Sequence, residues 1–95
     1  MGVYLYIGRD GEKGAELRAT ATRQRHLDNL ADLTQAGRVV FAGPLKREDG
    51  APCGSIILFN AESFEEARKI ADSDPYWTEG VFEGMEVFES MQVLP

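Results

Sequence analysis

The fold class this sequence predicts is α+β, of βαββαβ order, and three observations predict it. Short apolar runs rich in β-branched and aromatic residues fall at residues 3–7, 39–42 and 55–59, the composition of strands. Helical spacing of apolar residues follows the first run and recurs after the third. Beyond Gly80 the chain alternates between apolar and polar residues once more. A four-stranded antiparallel sheet with two helices on one face accommodates that order, which is the split βαβ pattern of a ferredoxin-like domain.

Val3-Tyr4-Leu5-Tyr6-Ile7, closed by Gly8 and Asp10-Gly11, reads as the first strand, with Tyr4 and Tyr6 on one face and Val3, Leu5 and Ile7 on the other. Residues 14–36 are rich in helix formers, with Leu27, Leu30 and Leu33 at three-residue spacing and Gly37 as the stop. A break is expected near Thr20-Ala21-Thr22. Val39-Val40-Phe41-Ala42, ended by Gly43-Pro44, and Ser55-Ile56-Ile57-Leu58-Phe59 form a hairpin with a long connection. Ser63-x-x-Glu66 is a capping box, and Phe64, Ala67, Ile70 and Ala71 follow with helical spacing until Asp74-Pro75. In the last segment Val81, Met85, Val87, Met91 and Val93 share one side of an alternating strand, and Gly84 is a candidate bulge.

At 95 residues, 43% of them apolar, the chain has material for one domain spanning 1–95 with a single core. Ten Lys and Arg against 16 Asp and Glu give a net charge of −6, which repels phosphate backbones and anionic lipid surfaces. Neither nucleic acid nor a membrane is an expected partner. The apolar start breaks at Gly8-Arg9-Asp10, too short for a signal peptide or a span. Cys53 is the sole cysteine, so a reducing compartment, the cytoplasm, is expected.

A four-stranded sheet with helices on one face leaves the other face open unless something covers it. Tyr4, Phe82 and Phe88 are the candidates for that face. A second copy of the chain is the expected cover, making a homodimer with a small-molecule cavity between sheet and helices or at the interface.

Imidazole chemistry in this chain must run through His26, the only histidine. With an unperturbed pKa of about 6.5, histidine is the side chain suited to exchanging protons near neutrality, and a carboxylate partner fixes its tautomer. On a helical wheel of about 100° per residue, His26 and Arg23 fall on the same stripe as Leu30 and Leu33. Polar groups among leucines either line a cavity or make a satisfied structural pair, and the residues alone leave both readings open. Asp74, before Pro75, suits an Asx-type turn as well as a site. Arg18, Arg23 and Arg25 form a basic cluster that either attracts a small anion or is a solvated helix face.

Other chemistry has little support. Cys53 has no nearby base in sequence to activate it. Ser55 lacks a Gly-x-Ser-x-Gly elbow and is at most a hydrogen-bond donor in a pocket. One His, one Cys and scattered carboxylates supply no metal site, and the glycines match no nucleotide-binding fingerprint. No metal and no cofactor are expected.

Arg23-x-x-His26-Leu27, Gly37-Arg38 leading into Ala42-Gly43-Pro44, Gly54-Ser55, and Asp74-Pro75-Tyr76 followed by Gly80-Val81 together resemble the YCII-related (YciI-like) family over essentially the whole chain. The resemblance implies a dimeric α+β barrel and a His and Asp centred active site, positions matched here by His26 and Asp74. Arg23, Ser55 and Tyr4 are the secondary, substrate-binding candidates. Characterised relatives imply a lyase or isomerase acting on small cyclic acids or phenols. The loop at residues 46–52 is shorter than in some relatives.

Two functions of different class fit these residues. In the first, a small cofactor-independent enzyme uses His26 for proton transfer, Asp74 to orient it and Arg23 to hold an anionic substrate. In the second, the same pocket binds a small metabolite without reacting, as a regulatory module.

Overall fold

A computed structural model describes residues 1–95. The elements run β1 (Gly2–Asp10), α1 (Gly14–Arg18), α2 (Thr22–Gln35), β2 (Val39–Lys46), β3 (Pro52–Ala61), α3 (Phe64–Asp72), α4 (Pro75–Thr78) and β4 (Phe82–Ser90). One antiparallel sheet has the order β2-β3-β1-β4. This is the ferredoxin-like α+β fold, with β1 and β3 at its centre.

The long first helix divides as expected: residues 19–21 separate α1 from α2, and Gly37 ends the segment with φ +71, a conformation that glycine adopts without steric cost. Strand β2 extends past Gly43-Pro44 to Lys46. It does so because β2 is an edge strand, where proline's missing donor disturbs no second ladder. The capping box forms with a shift of one residue. Ser63 accepts from the Glu66 amide at 3.1 Å, while the Glu66 carboxylate reaches the Glu62 amide at 3.0 Å.

Two expectations about faces require correction. Tyr4 and Phe82 are buried, not on the open face. Alternation showed that Tyr4 and Tyr6 share a face; the structure shows that it is the helix-facing one. There they pack with Leu30, Ile57, Phe59, Ala61, Ala67, Ala71 and Val87. Only Phe88 matches its predicted place, opposite Leu5 in the ladder and 44% exposed. The second correction concerns the last strand, which ends at Ser90 and leaves Met91 and Val93 exposed beyond it.

A register shift beside Gly84 explains why Phe82 turns inward. Arg9 pairs with Gly84 but Asp10 pairs with Phe82, so Glu83 is the extra residue. The Phe82 ring then lies over Gly8, where a Cβ would stand 2.2 Å from it. Phe82 joins Tyr76 and Val81 in a second cluster below α1 and α4, packed by Leu17 and Met85. Small residues set the other helix: Ala67 and Ala71, both fully buried, bring α3 close to the sheet. The remaining space, between α2 and the β2–β3 side of the sheet, holds the site.

Candidate active site

Asp74 is positioned by its own local sequence. The residue before a proline favours an extended backbone, and Asp74 has φ −67 and ψ 123. Pro75, pre-set for the first helical position, starts α4, and Asp74 caps that helix by accepting from the Tyr76 amide at 2.9 Å. The turn chemistry expected of Asp74 is thus present, and the same carboxylate has two further partners. His26 Nδ1 lies 2.7 Å from Oδ1, and the Tyr6 hydroxyl donates to Oδ2 at 2.6 Å.

All of this happens away from water. Asp74 and Tyr6 are fully buried and His26 nearly so. As a carboxylate Asp74 can only accept, so the hydrogen of the imidazole sits on Nδ1, as inferred from the bonding network. Nε2 makes no hydrogen bond within the protein, yet no buried side-chain nitrogen or oxygen lacks a partner. Nε2 therefore opens into the cavity beside it.

That cavity has a volume of about 240 Å³. Leu27, Leu30, Ala42, Pro44 and Ile57 make its apolar side, and Arg18, Arg23, His26, Ser55 and Tyr76 its polar side. All of these polar groups except Arg23 are linked into one wall. The Tyr76 ring stacks on the His26 imidazole with centroids 4.0 Å apart and planes within 1°. The Arg18 guanidinium lies 4.8 Å from the centroid of Tyr76 and donates to Ser55 Oγ at 3.0 Å.

Charge on this wall is uneven. Arg18 is held by both oxygens of Asp10, at 2.6 and 2.8 Å. Burial works to lower the Arg18 pKa, but the hydrogen bonds and charge of Asp10 outweigh it and the pKa rises. Arg23 has no side-chain hydrogen bond or ion pair of its own, and is the free cation at the cavity. Arg25 points away and pairs with Glu79, whose carboxylate also accepts from Thr22 and ties α2 to the end of α4. Burial raises the Tyr6 hydroxyl far above the ordinary tyrosine range, helped by the charge of Asp74. Burial also raises Tyr76, against the opposing pull of Arg18 and Arg23.

The structure brings His26, Asp74, Arg23 and Ser55 to one place. Arg23 is an exposed residue at the cavity and not part of the buried stripe, which runs Thr22, His26, Leu30. Tyr4 does not line the cavity: it packs edge-on against Phe64 at 5.9 Å on the α3 side of the sheet. Sequence reasoning missed Tyr6 and Asp10 as supports of the site. It touched Arg18 only as a cluster member and Tyr76 only within the Asp-Pro-Tyr motif. For Tyr6 a signal existed, since a tyrosine amid a strand's core face needs a partner for its hydroxyl. No three His, Cys, Asp or Glu side chains converge on a common point.

Known proteins match this chain throughout. Residues 3–91 match the YCII-related domain. Protein YciI of Escherichia coli O6:H1 is 35% identical over 91 residues, covering 90% of this chain and 92% of that protein. A protein of Emericella nidulans called derivative of benzaldehyde biosynthesis cluster protein C is 37% identical over 62 residues, 58% of this chain and 63% of the other. Among solved structures, 5-chloro-2-hydroxyhydroquinone dehydrochlorinase of Burkholderia phenoliruptrix AC1100, in complex with 2,5-dihydroxybenzoquinone, superposes with a TM-score of 0.76. It is 23% identical, with 90% of each chain covered. A NIPSNAP family protein of Agrobacterium tumefaciens str. C58 has a TM-score of 0.56 at 14% identity, covering 96% of this chain and 84% of that one. The solved structures share the fold; with its whole length bar the ends matched by the family and by YciI proteins, this chain belongs to the YCII-related domain family.

Proposed function

We propose that this protein is a small enzyme that transfers protons at His26 Nε2 on a single-ring cyclic or aromatic acid or phenol. The observation that carries the reading is the 2.7 Å bond between His26 Nδ1 and the buried Asp74, with Nε2 facing the cavity. Asp74 fixes the tautomer that leaves the Nε2 lone pair free and stabilises the imidazolium once the proton arrives. Arg23 supplies the positive charge for an anionic substrate. Ser55 offers its hydroxyl from the same polar side, beside Arg18.

Size and charge narrow the substrate. A volume of about 240 Å³ lies below the roughly 300–1,000 Å³ of pockets for drug-sized ligands, so one ring is accommodated. The apolar side suits the ring and the polar side its oxygens. The solved dehydrochlorinase that shares this fold holds a dihydroxybenzoquinone, which agrees in size and chemistry. In the step itself, Nε2 takes a proton from the substrate and the freed electron pair moves onto a ring oxygen. Returning the proton elsewhere is an isomerisation; expelling a leaving group is an elimination. Both balance without an electron carrier, and such acid–base help is worth roughly 10² to 10⁴ in rate.

The test is a turnover screen by NMR of small hydroxyquinones, phenolic acids and lactones. Conversion by the wild type that falls at least 100-fold in His26→Gln and Asp74→Asn supports the reading. A substrate turned over equally by all three proteins overturns it.

The oligomeric state belongs to the same proposal: a second copy covers the open sheet face, closing a barrel of two sheets. Leu5, Ile7, Ile56 and Leu58 face that side by their pairing in the ladders, and Phe41 is 55% exposed beside Leu58. An apolar sheet face of this extent is favourable to bury. A single cysteine, which can form no intramolecular disulfide, supports a reducing, cytoplasmic setting as part of the same proposal.

A further inference from the structure

Tyr76 has a hydroxyl with nothing to do inside the protein. The residue is 3% exposed, and a buried tyrosine normally gives its O–H a partner. The only hydrogen bond of Tyr76 to another side chain is made by its backbone amide, to Asp74. No buried side-chain oxygen is left unpaired, so the hydroxyl must open into the cavity that Tyr76 lines. This is the same reasoning that places His26 Nε2 there.

The ring is held with unusual care for a residue without a hydrogen-bonded hydroxyl. One face is covered by the His26 imidazole, parallel at 4.0 Å. The guanidinium of Arg18 lies 4.8 Å from the centroid, which with the first face covered puts it on the other. Phe82 meets the ring edge-on at 5.6 Å. Arg18 is in turn clamped by Asp10, so the whole stack is fixed before any ligand arrives.

We infer that Tyr76 is a second substrate-contacting group, whose hydroxyl donates a hydrogen bond to the substrate oxygen that gains negative charge when His26 removes a proton. The inference rests on the proton-transfer reading of His26 and deepens it. It also specifies the substrate: the proton to be removed and the oxygen that takes up the charge must be close neighbours on one small frame, because they are served from adjacent stacked rings. An enolisable cyclic ketone, a hydroxyquinone or a phenol meets that requirement; a molecule with one isolated polar group does not. The step balances within the substrate and His26. The electron pair of the broken bond becomes the oxygen's charge, the proton resides on Nε2, and Tyr76 keeps its own proton while sharing it. Burial raising the Tyr76 pKa keeps the donor protonated at neutral pH. Arg18 over the ring and Arg23 nearby add positive potential where the charge develops.

The probe is 4-nitrophenol, whose phenolate carries the oxygen charge and reports hydrogen bonding through its visible absorption. Its binding is measured by spectroscopic titration with wild type, Tyr76→Phe and His26→Gln. Phe keeps the stacked ring and removes only the free hydroxyl, so the melting temperature of Tyr76→Phe stays at the wild-type value. Wild type should bind the phenolate with a band shifted to shorter wavelength. Tyr76→Phe should bind about 10- to 100-fold more weakly, the range for losing a hydrogen bond to a charged group, with the band returned toward its position without a donor. Equal affinity and an unchanged band in Tyr76→Phe overturn the inference, as does a wild type that binds no phenolate. Neither result decides the His26 reading, which stands or falls on loss of turnover in His26→Gln.

Discussion

Replacing Tyr6 with Phe removes one hydroxyl and keeps the ring that packs edge-on against Phe59. The cost is nevertheless large, because the hydroxyl donates to Asp74 Oδ2 at 2.6 Å and both residues are fully buried. No other donor reaches that oxygen, so the variant leaves half of a buried carboxylate unsatisfied. Hydrogen bonds to charged groups contribute about 1.5–3 kcal/mol, and a stranded buried partner puts the loss toward the upper end. For a chain of 95 residues, a loss of about 2–3 kcal/mol lowers Tm by roughly 8–20 °C. Thermal and urea unfolding followed by circular dichroism, at matched protein concentration, measure it. The pH dependence adds an independent signature. Tyr6 has a folded pKa raised above its unfolded value near 10, so its contribution is complete below pH 10. As pH rises further the unfolded state loses the proton first, and stability falls by about 1.4 kcal/mol per pH unit from this group. Tyr6→Phe lacks that component and has a flatter alkaline limb. A variant within about 0.5 kcal/mol of wild type, with an identical alkaline slope, would refute the buried Tyr6–Asp74–His26 chain.

Four further outcomes are expected. Arg18→Met strands Asp10, whose side chain is 7% exposed, and should cost about 3–5 kcal/mol in urea unfolding. Gly54→Ala would place a Cβ 2.4 Å from the Gly8 carbonyl oxygen, forcing β3 from β1, and should destabilise by about 1–3 kcal/mol or more by calorimetry. Glu79 is held below the ordinary carboxylate range by its hydrogen bond from Arg25; its contribution is present above the unfolded pKa and is lost as pH falls through the folded one. Glu79→Gln should therefore show a shallower acid limb in a melting-temperature profile from pH 6 to 3. Leu58→Asp puts a charge at the centre of the open sheet face; sedimentation should find a dimer for the wild type and a monomer for the variant, and a monomeric wild type would contradict the proposed dimer.

Much of the fold was legible because each element carries its own punctuation. The capping box at Ser63, the stop at Gly37, the break before Thr22 and the alternation in β1 are local, and local rules read them. What failed was long-range. Alternation assigns Tyr4 and Tyr6 to one face without saying which face meets the helices, since that depends on where α2 and α3 land. Phe82 was misplaced because one extra residue, Glu83, reverses the alternation. Proline at 44 read as a terminator because nothing in the sequence marks β2 as an edge strand.

The site shows the same division. His26 and Asp74 were identifiable as residue types with family motifs around them, and the packing of α2 against α4 brings them to 2.7 Å. Asp10, Arg18 and Tyr6 come from separate elements, and their roles arise only from packing. Asp10 looked like a turn residue beside Gly11, yet it is what holds Arg18 against Tyr76.

Proton transfer between His26 Nε2 and a small cyclic molecule, as proposed, would leave a signature in solvent exchange. Its most direct measurement is exchange of the ring hydrogens of 2,5-dihydroxybenzoquinone for deuterium in D₂O, followed by NMR with wild type and His26→Gln. Exchange should be accelerated by wild type and slowed at least 100-fold in the variant. Acceleration that persists undiminished in His26→Gln, or no acceleration by wild type at saturating quinone, would contradict it.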